Sequence, residues 1–146
     1  EGECSIDSLG TNFILTPHIK EMSRLANKTT DEIKNDMSYF VAAQAYCTVV
    51  LKDARTVVGE GRDVEERKMY INMSGNNALA TGGSGDVLSG IIAGIAAQDR
   101  EKKPSLAAAL GVYIHGFTAE RYTETKSRYS MTASDIIDML PQVMPE

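Results

Sequence analysis

Three features of the 146-residue sequence predict an α/β fold. Short apolar strand segments alternate with segments whose apolar residues recur at helical spacing. One strand segment, Thr48-Val49-Val50-Leu51, is β-branched and almost wholly apolar, the pattern of a buried and parallel strand. The third is a glycine-rich stretch, Ala80-Thr81-Gly82-Gly83-Ser84-Gly85-Asp86, that runs directly into the apolar Val87-Leu88-Ser89-Gly90-Ile91-Ile92. Three glycines in four positions disfavour a helix interior, so the stretch reads as a turn that delivers the chain into a helix.

The elements follow in order. Residues 13–15 form a short strand that stops at Thr16-Pro17-His18, with Thr16 as a helix cap and Pro17 at the first helical position. Ile19, Met22, Leu25 and Ala26 then share one helical face. Thr29 and Glu32 stand in the capping-box relation and open a helix carrying Ile33, Met37, Phe40, Val41, Gln44 and Ala45. After strand 48–51, segments 55–58 and 68–73 are predicted as an antiparallel ribbon around an exposed, charged connection over 59–67. The glycine turn opens a helix from Asp86 to about Gln98, whose small residues Gly90, Ala93, Gly94 and Ala97 leave room for close approach. Ser105 is placed as the cap of a helix over 106–122, and a last helix over 132–140 is expected to end at Pro141. About four strands for some five helices make a small, mainly parallel sheet with an edge that awaits more chain.

Composition narrows the function. Hydrophobic residues are 42% and charged residues 24%, as in a globular domain, and the formal charge is −5 with the basic residues dispersed. That balance argues against binding nucleic acid or an anionic membrane surface. Apolar runs are broken well before the length a bilayer requires. Cys4 and Cys47 supply neither a disulfide framework nor zinc-ligand spacing, and without a secretion signal the cytoplasm is the expected location. Glu1-Gly2-Glu3 does not resemble a natural initiation, which points to a fragment or processed chain or, equally, to an engineered one.

A glycine turn at a helix N-terminus presents unpaired amide N–H groups, for which an anion is the natural occupant. Asp86 sits at the mouth of that site, either as a helix cap or as a base that takes a proton from a substrate hydroxyl. An alanine at Gly85 is expected to crowd the anion and to force the turn out of a glycine-only conformation.

These residues carry a resemblance. Leu15-Thr16-Pro17-His18-Ile19-Lys20-Glu21-Met22, Val50-Leu51-Lys52 and Asn72-Met73-Ser74-Gly75-Asn76-Asn77-Ala78-Leu79-Ala80 leading into the glycine turn are similar to the ADP/ATP-dependent NAD(P)H-hydrate dehydratases, of the ribokinase-like superfamily. Ile114-His115-Gly116 and Ala119-Glu120 agree with it. The similarity runs from about Phe13 to the end. It implies the C-terminal half of a doubly wound, three-layer α/β/α domain, with 1–146 lacking the N-terminal half.

The resemblance implies ADP- or ATP-dependent repair of hydrated NADH or NADPH, by phosphorylation of the ring hydroxyl and elimination of phosphate. Asp86 is then the base on that hydroxyl, and Gly82, Gly83, Ser84 and Gly85 form the anion hole. Lys52, Asn72, Ser74, Gly75 and Asn76 match nucleotide-binding positions; His18 and Glu21 match the hydrated-nicotinamide side together with Asp86. The family glycine after the lysine is replaced by Asp53, which sets a carboxylate near the phosphate path. Any metal is Mg2+ held mainly through the nucleotide phosphates. Plainer readings stand beside these: a lysine leaving a strand for solvent, His18 as a cap, Glu21 on a solvated face, and His115 as a satisfied core histidine. A ribokinase-like small-molecule kinase and a catalytically silent half-domain are the alternative functions. The open sheet edge is expected to be covered by another copy in a homo-oligomer or by the missing N-terminal half.

Overall fold

The computed structural model describes residues 9–43, 46–61, 68–99 and 103–144. The readings that fell on Glu1-Gly2-Glu3, Cys4, Gln44, Ala45 and 62–67 lie outside the described residues. Strands β1 (Ile14–Leu15), β2 (Thr48–Leu51), β3 (Val57–Gly59) and β4 (Met69–Ile71) form one sheet in the order β1-β2-β3-β4. Only the β1–β2 pairing is parallel, with Ile14 opposite Thr48 and Leu15 opposite Val49. The other two pairings are antiparallel, so the sheet is mixed rather than mainly parallel. Connection length explains the difference. Residues 52–56 between β2 and β3 are too few for a parallel crossover, so the chain folds back as a ribbon.

Side-chain alternation along β2 divides the core. Val49 and Leu51 face α1 (Ile19–Leu25), α2 (Thr30–Asn35) and α3 (Met37–Ala43), where Met22, Ile33 and Val41 are buried. Val50 faces α4 (Ser84–Gln98) and α5 (Pro104–Thr123), meeting Leu88, Ile92, Ala108 and Val112. The sheet is therefore covered on both faces, as a three-layer α/β/α arrangement requires. A third cluster, including Ile91, Ile114 and Ile136, joins α4 and α5 to α6 (Ala133–Val143).

Several helix ends differ from the sequence reading. The cap of α1 is His18, not Thr16, because His18 accepts from the Glu21 amide while Glu21 accepts from the His18 amide. The helix opened by Thr29 breaks at Asp36, whose backbone leaves the helical region and whose carboxylate accepts from the Tyr39 amide. Helix α4 starts at Ser84, two residues before Asp86. Helix α5 starts at Pro104, and Ser105 donates to Glu60 instead of capping. Pro141 lies inside α6 rather than ending it, in the last turn where one lost backbone hydrogen bond is tolerated. Among the described residues a Cβ on Gly90 or Gly94 would meet nothing within 4 Å, so these two glycines of α4 border an open groove beside α6 rather than a tight contact.

Candidate functional site

Two hollows meet at the carboxyl ends of the parallel strands, where open α/β sheets place their ligands. The larger encloses about 750 Å³ and is lined by His18, Lys52, Asp53, the 72–77 loop, Thr81, Ser84, Gly85, His115 and Gly116. The smaller encloses about 490 Å³ between Thr16, Pro17, Glu21, Leu25, Asp86 and Ser89. Lys52 and Gly85 line both and form the neck between them.

Local structure puts these residues there. The parallel register continues past β1 and β2 as an isolated bridge between His18 and Lys52, with the Lys52 amide donating to the Pro17 carbonyl at 2.8 Å. Lys52 thus leaves the sheet at the cleft. Its amine has neither a hydrogen-bond acceptor nor an ion-pair partner among the described residues. Thr16, freed from capping, lies 3.2 Å from the Ser89 hydroxyl, which donates to the Gly85 carbonyl at 3.0 Å. The strand end and the first turns of α4 are tied together by that pair.

The glycine turn is built around Gly83, the N-cap of α4, at φ 83° in the left-handed region that glycine adopts most readily. The Gly83 carbonyl accepts from the Asp86 and Val87 amides at 3.1 and 3.0 Å, and the Ser84 amide donates to Thr81 at 3.3 Å. The amides of Gly82, Gly83 and Gly85 have no acceptor among the described residues, so they, rather than Ser84, are the donors left for an anion. Asp86 is exposed at the third helical position, and its carboxylate has no hydrogen-bond partner among the described residues. It does not cap the helix.

The 72–76 loop lines the larger hollow, but its polar side chains are largely spent on shaping it. Asn72 donates to the Ser74 carbonyl at 2.9 Å, and the Ser74 hydroxyl lies 3.0 Å from the Tyr113 carbonyl. Asn76 donates to Ala119 and Thr123 of α5 and accepts from Ala78. The Gly75 amide donates to the Glu120 carboxylate at 2.8 Å. Gly75, at φ 100°, leaves 3.1 Å between its absent Cβ and the Gly116 Cα, so a side chain at either glycine would part loop from helix.

His18 and Glu21 occupy opposite sides of the neck: His18 lines the larger hollow and Glu21 the smaller. Each is about half exposed, and they pair at 3.4 Å within the α1 capping box. The capping reading of His18 therefore holds, and its ring remains at the cleft edge. Two contributors had weak sequence signals. In the sequence Glu120 only agrees with the resemblance, and His115 reads as a core histidine. His115 is indeed buried and hydrogen-bonded, yet it also lines the larger hollow. Its Nε2 lies 3.0 Å from the Ser84 carbonyl and 3.1 Å from the Ser84 hydroxyl. Burial holds its pKa below the ordinary histidine value; the Ser84 hydrogen bond opposes that shift, and the Lys52 charge adds to it. Among the described residues no cluster of three His, Cys, Asp or Glu side chains is placed to hold a metal ion. No helix among them is long and apolar enough to cross a membrane.

Comparison with known proteins bears on the family and the fold. The chain is 42% identical over 135 residues to the bifunctional NAD(P)H-hydrate repair enzyme Nnr of Moorella thermoacetica, covering 90% of this chain and 24% of that protein. It is 34% identical over 133 residues to the ADP-dependent (S)-NAD(P)H-hydrate dehydratase of Bacillus subtilis, covering 89% of this chain and 46% of the relative. A crystal structure of the Bacillus subtilis ADP/ATP-dependent NAD(P)H-hydrate dehydratase, co-crystallized with ATP/Mg2+, superposes with a TM-score of 0.79 at 34% identity. That match covers 89% of this chain and 46% of the other, so the chain spans about half the length of the dehydratase relatives. The family model described as NAD(P)H-hydrate dehydratase matches residues 5–142, and with the ribokinase-like fold in place the chain belongs to that carbohydrate-kinase-like family.

Proposed function

We propose that this chain supplies the proton-accepting and phosphate-gripping groups of an ADP/ATP-dependent NAD(P)H-hydrate dehydratase. The observation that carries the reading is the Asp86 carboxylate, unpartnered among the described residues, which follows directly on the equally unpaired Gly85 amide and shares a hollow with Lys52. A base with no internal partner is open to a substrate hydroxyl. The amides of Gly82, Gly83 and Gly85 lie along one turn, ready for the charge on a transferring phosphoryl group. Lys52, at the neck, attracts phosphate from the larger hollow toward the smaller one.

The two hollows divide the labour. The larger takes ADP or ATP, with the 72–76 loop as its wall; the smaller takes the hydrated nicotinamide of NADH or NADPH, beside Glu21 and Asp86. The nucleotide supplies the phosphoryl group that turns the ring hydroxyl into a leaving group. Unpaired amides and an unpaired lysine amine fit polyphosphate. Any Mg2+ would be held chiefly through the nucleotide phosphates, with Asp53, Asp86 and Glu21 the carboxylates that line the hollows. The coverage of the relatives and the outer edge of β1, unpaired among the described residues, support taking the chain as the C-terminal half of that domain.

Incubation with hydrated NADH or NADPH and ADP or ATP, followed by the absorbance of the reduced nicotinamide, tests the reading. Recovery that requires the nucleotide supports it. Nucleotide consumption only with an unrelated alcohol replaces it with a small-molecule kinase, and no reaction with either replaces it with a catalytically silent domain.

A further inference from the structure

We propose that His115 is a positioning residue: through its Nε2–H bond to the Ser84 carbonyl it holds the first turn of α4 so that the free amides of the glycine turn face the phosphate site. The inference rests on the nucleotide-binding reading above and adds a residue on a different helix, with a role of its own. His115 is buried, 7% exposed, in the middle of α5, and its Nε2 is 3.0 Å from the Ser84 carbonyl and 3.1 Å from the Ser84 hydroxyl.

The tautomer follows from the partners. A carbonyl oxygen only accepts, so Nε2 must carry the proton, and the serine hydroxyl beside it is a second acceptor. Ser84 is the first residue of α4, between Gly83 and Gly85, whose amides are free. The turn is otherwise held at its start by the 3.3 Å Ser84–Thr81 bond and by the Asp86 and Val87 amides that donate to the Gly83 carbonyl. Glycine on either side of Ser84 leaves the backbone loose, and a loose turn must be ordered again each time an anion binds. The buried imidazole removes that freedom beforehand. The next residue, Gly116, does the same for the opposite wall by letting the Ser74 backbone approach to within 2.8 Å of where a Cβ would sit. Adjacent residues of α5 thus set both sides of the larger hollow.

The test compares His115→Gln with His115→Asn. A glutamine amide reaches about as far as Nε2, whereas an asparagine amide stops near Nδ1, so the pair differs in reach and little in chemistry. The measurements are Kd for ADP and ATP with Mg2+ and the thermal midpoint of each protein. His115→Asn is expected to raise Kd about 5- to 10-fold, the worth of one hydrogen bond, while remaining folded at the assay temperature. His115→Gln is expected to stay within about 2-fold of the parent. Equal Kd values in all three proteins, or equal weakening in both variants, would overturn the inference. If the parent itself binds neither nucleotide, the proposed function fails first and the inference with it, a pattern distinct from the other two.

Discussion

The Lys52 amine lies 3.3 Å from the point where a Cβ on Gly85 would sit. The two residues come from different elements, the end of β2 and the start of α4, and together they form the neck between the hollows. A cation and a free amide thus meet where a phosphoryl group would cross from one side to the other.

Gly85→Ala tests that neck. Gly85 does not occupy the left-handed region, so the turn is not forced out of a glycine-only conformation as its sequence had led us to expect; the positive φ belongs to Gly83. The added methyl displaces the Lys52 amine by a few tenths of an ångström and leaves the helix intact. The expected outcome is weaker nucleotide binding at an unchanged or slightly raised denaturation midpoint, since alanine favours the helix over glycine by up to about 1 kcal/mol.

Gly83→Ala should do the opposite. At φ 83° an alanine is strained by about 1–2 kcal/mol, and its Cβ would also lie 3.2 Å from the Ala133 side chain. The free energy of unfolding is expected to fall by that amount, read as a lower urea midpoint at unchanged m in equilibrium unfolding.

Glu120→Ala removes the acceptor of the Gly75 amide. A bond to a charged group of this kind is worth about 1.5–3 kcal/mol, so unfolding should show a loss in that range. Nucleotide affinity should fall as well, because the 72–76 loop loses its anchor to α5.

His115 gives stability a pH dependence with a definite sign. Its folded pKa lies below the ordinary value near 6.5, so the unfolded chain binds the proton more readily. Stability should fall as pH drops through about 6.5 toward the folded value and level off below it. Unfolding followed from pH 8 downward is expected to show this component in the parent and not in His115→Gln, above the range of the carboxylates.

The sequence disclosed the strand order's starting material, the glycine turn and the pairing of Thr29 with Glu32, because each is a local pattern. It misjudged Thr16, Ser105 and Asp36 as cap, cap and helix interior because the choice among neighbouring polar residues depends on which backbone amide each side chain reaches. The mixed sheet was partly legible: the ribbon was expected, but a strand as apolar as β2 reads the same whether its neighbours run parallel or antiparallel. Asn72, Ser74 and Asn76 line the larger hollow, and the commitment of Ser74 and Asn76 to α5 was invisible in the sequence, since their partners lie 39 or more residues away. His115 carried no sequence sign of its tie to Ser84, 31 residues earlier.

Turnover by Asp86→Asn measures the central assignment most directly. Asparagine keeps the size of the side chain and no capping bond is at stake, so the fold and the nucleotide site are left as they are. Nucleotide-dependent recovery of the reduced dinucleotide should fall by roughly 10²–10⁴-fold, the usual worth of a positioned base, with nucleotide Kd and denaturation midpoint unchanged. Turnover equal to the parent, or lost only in proportion to lost folding, would contradict the assignment of Asp86 as the base.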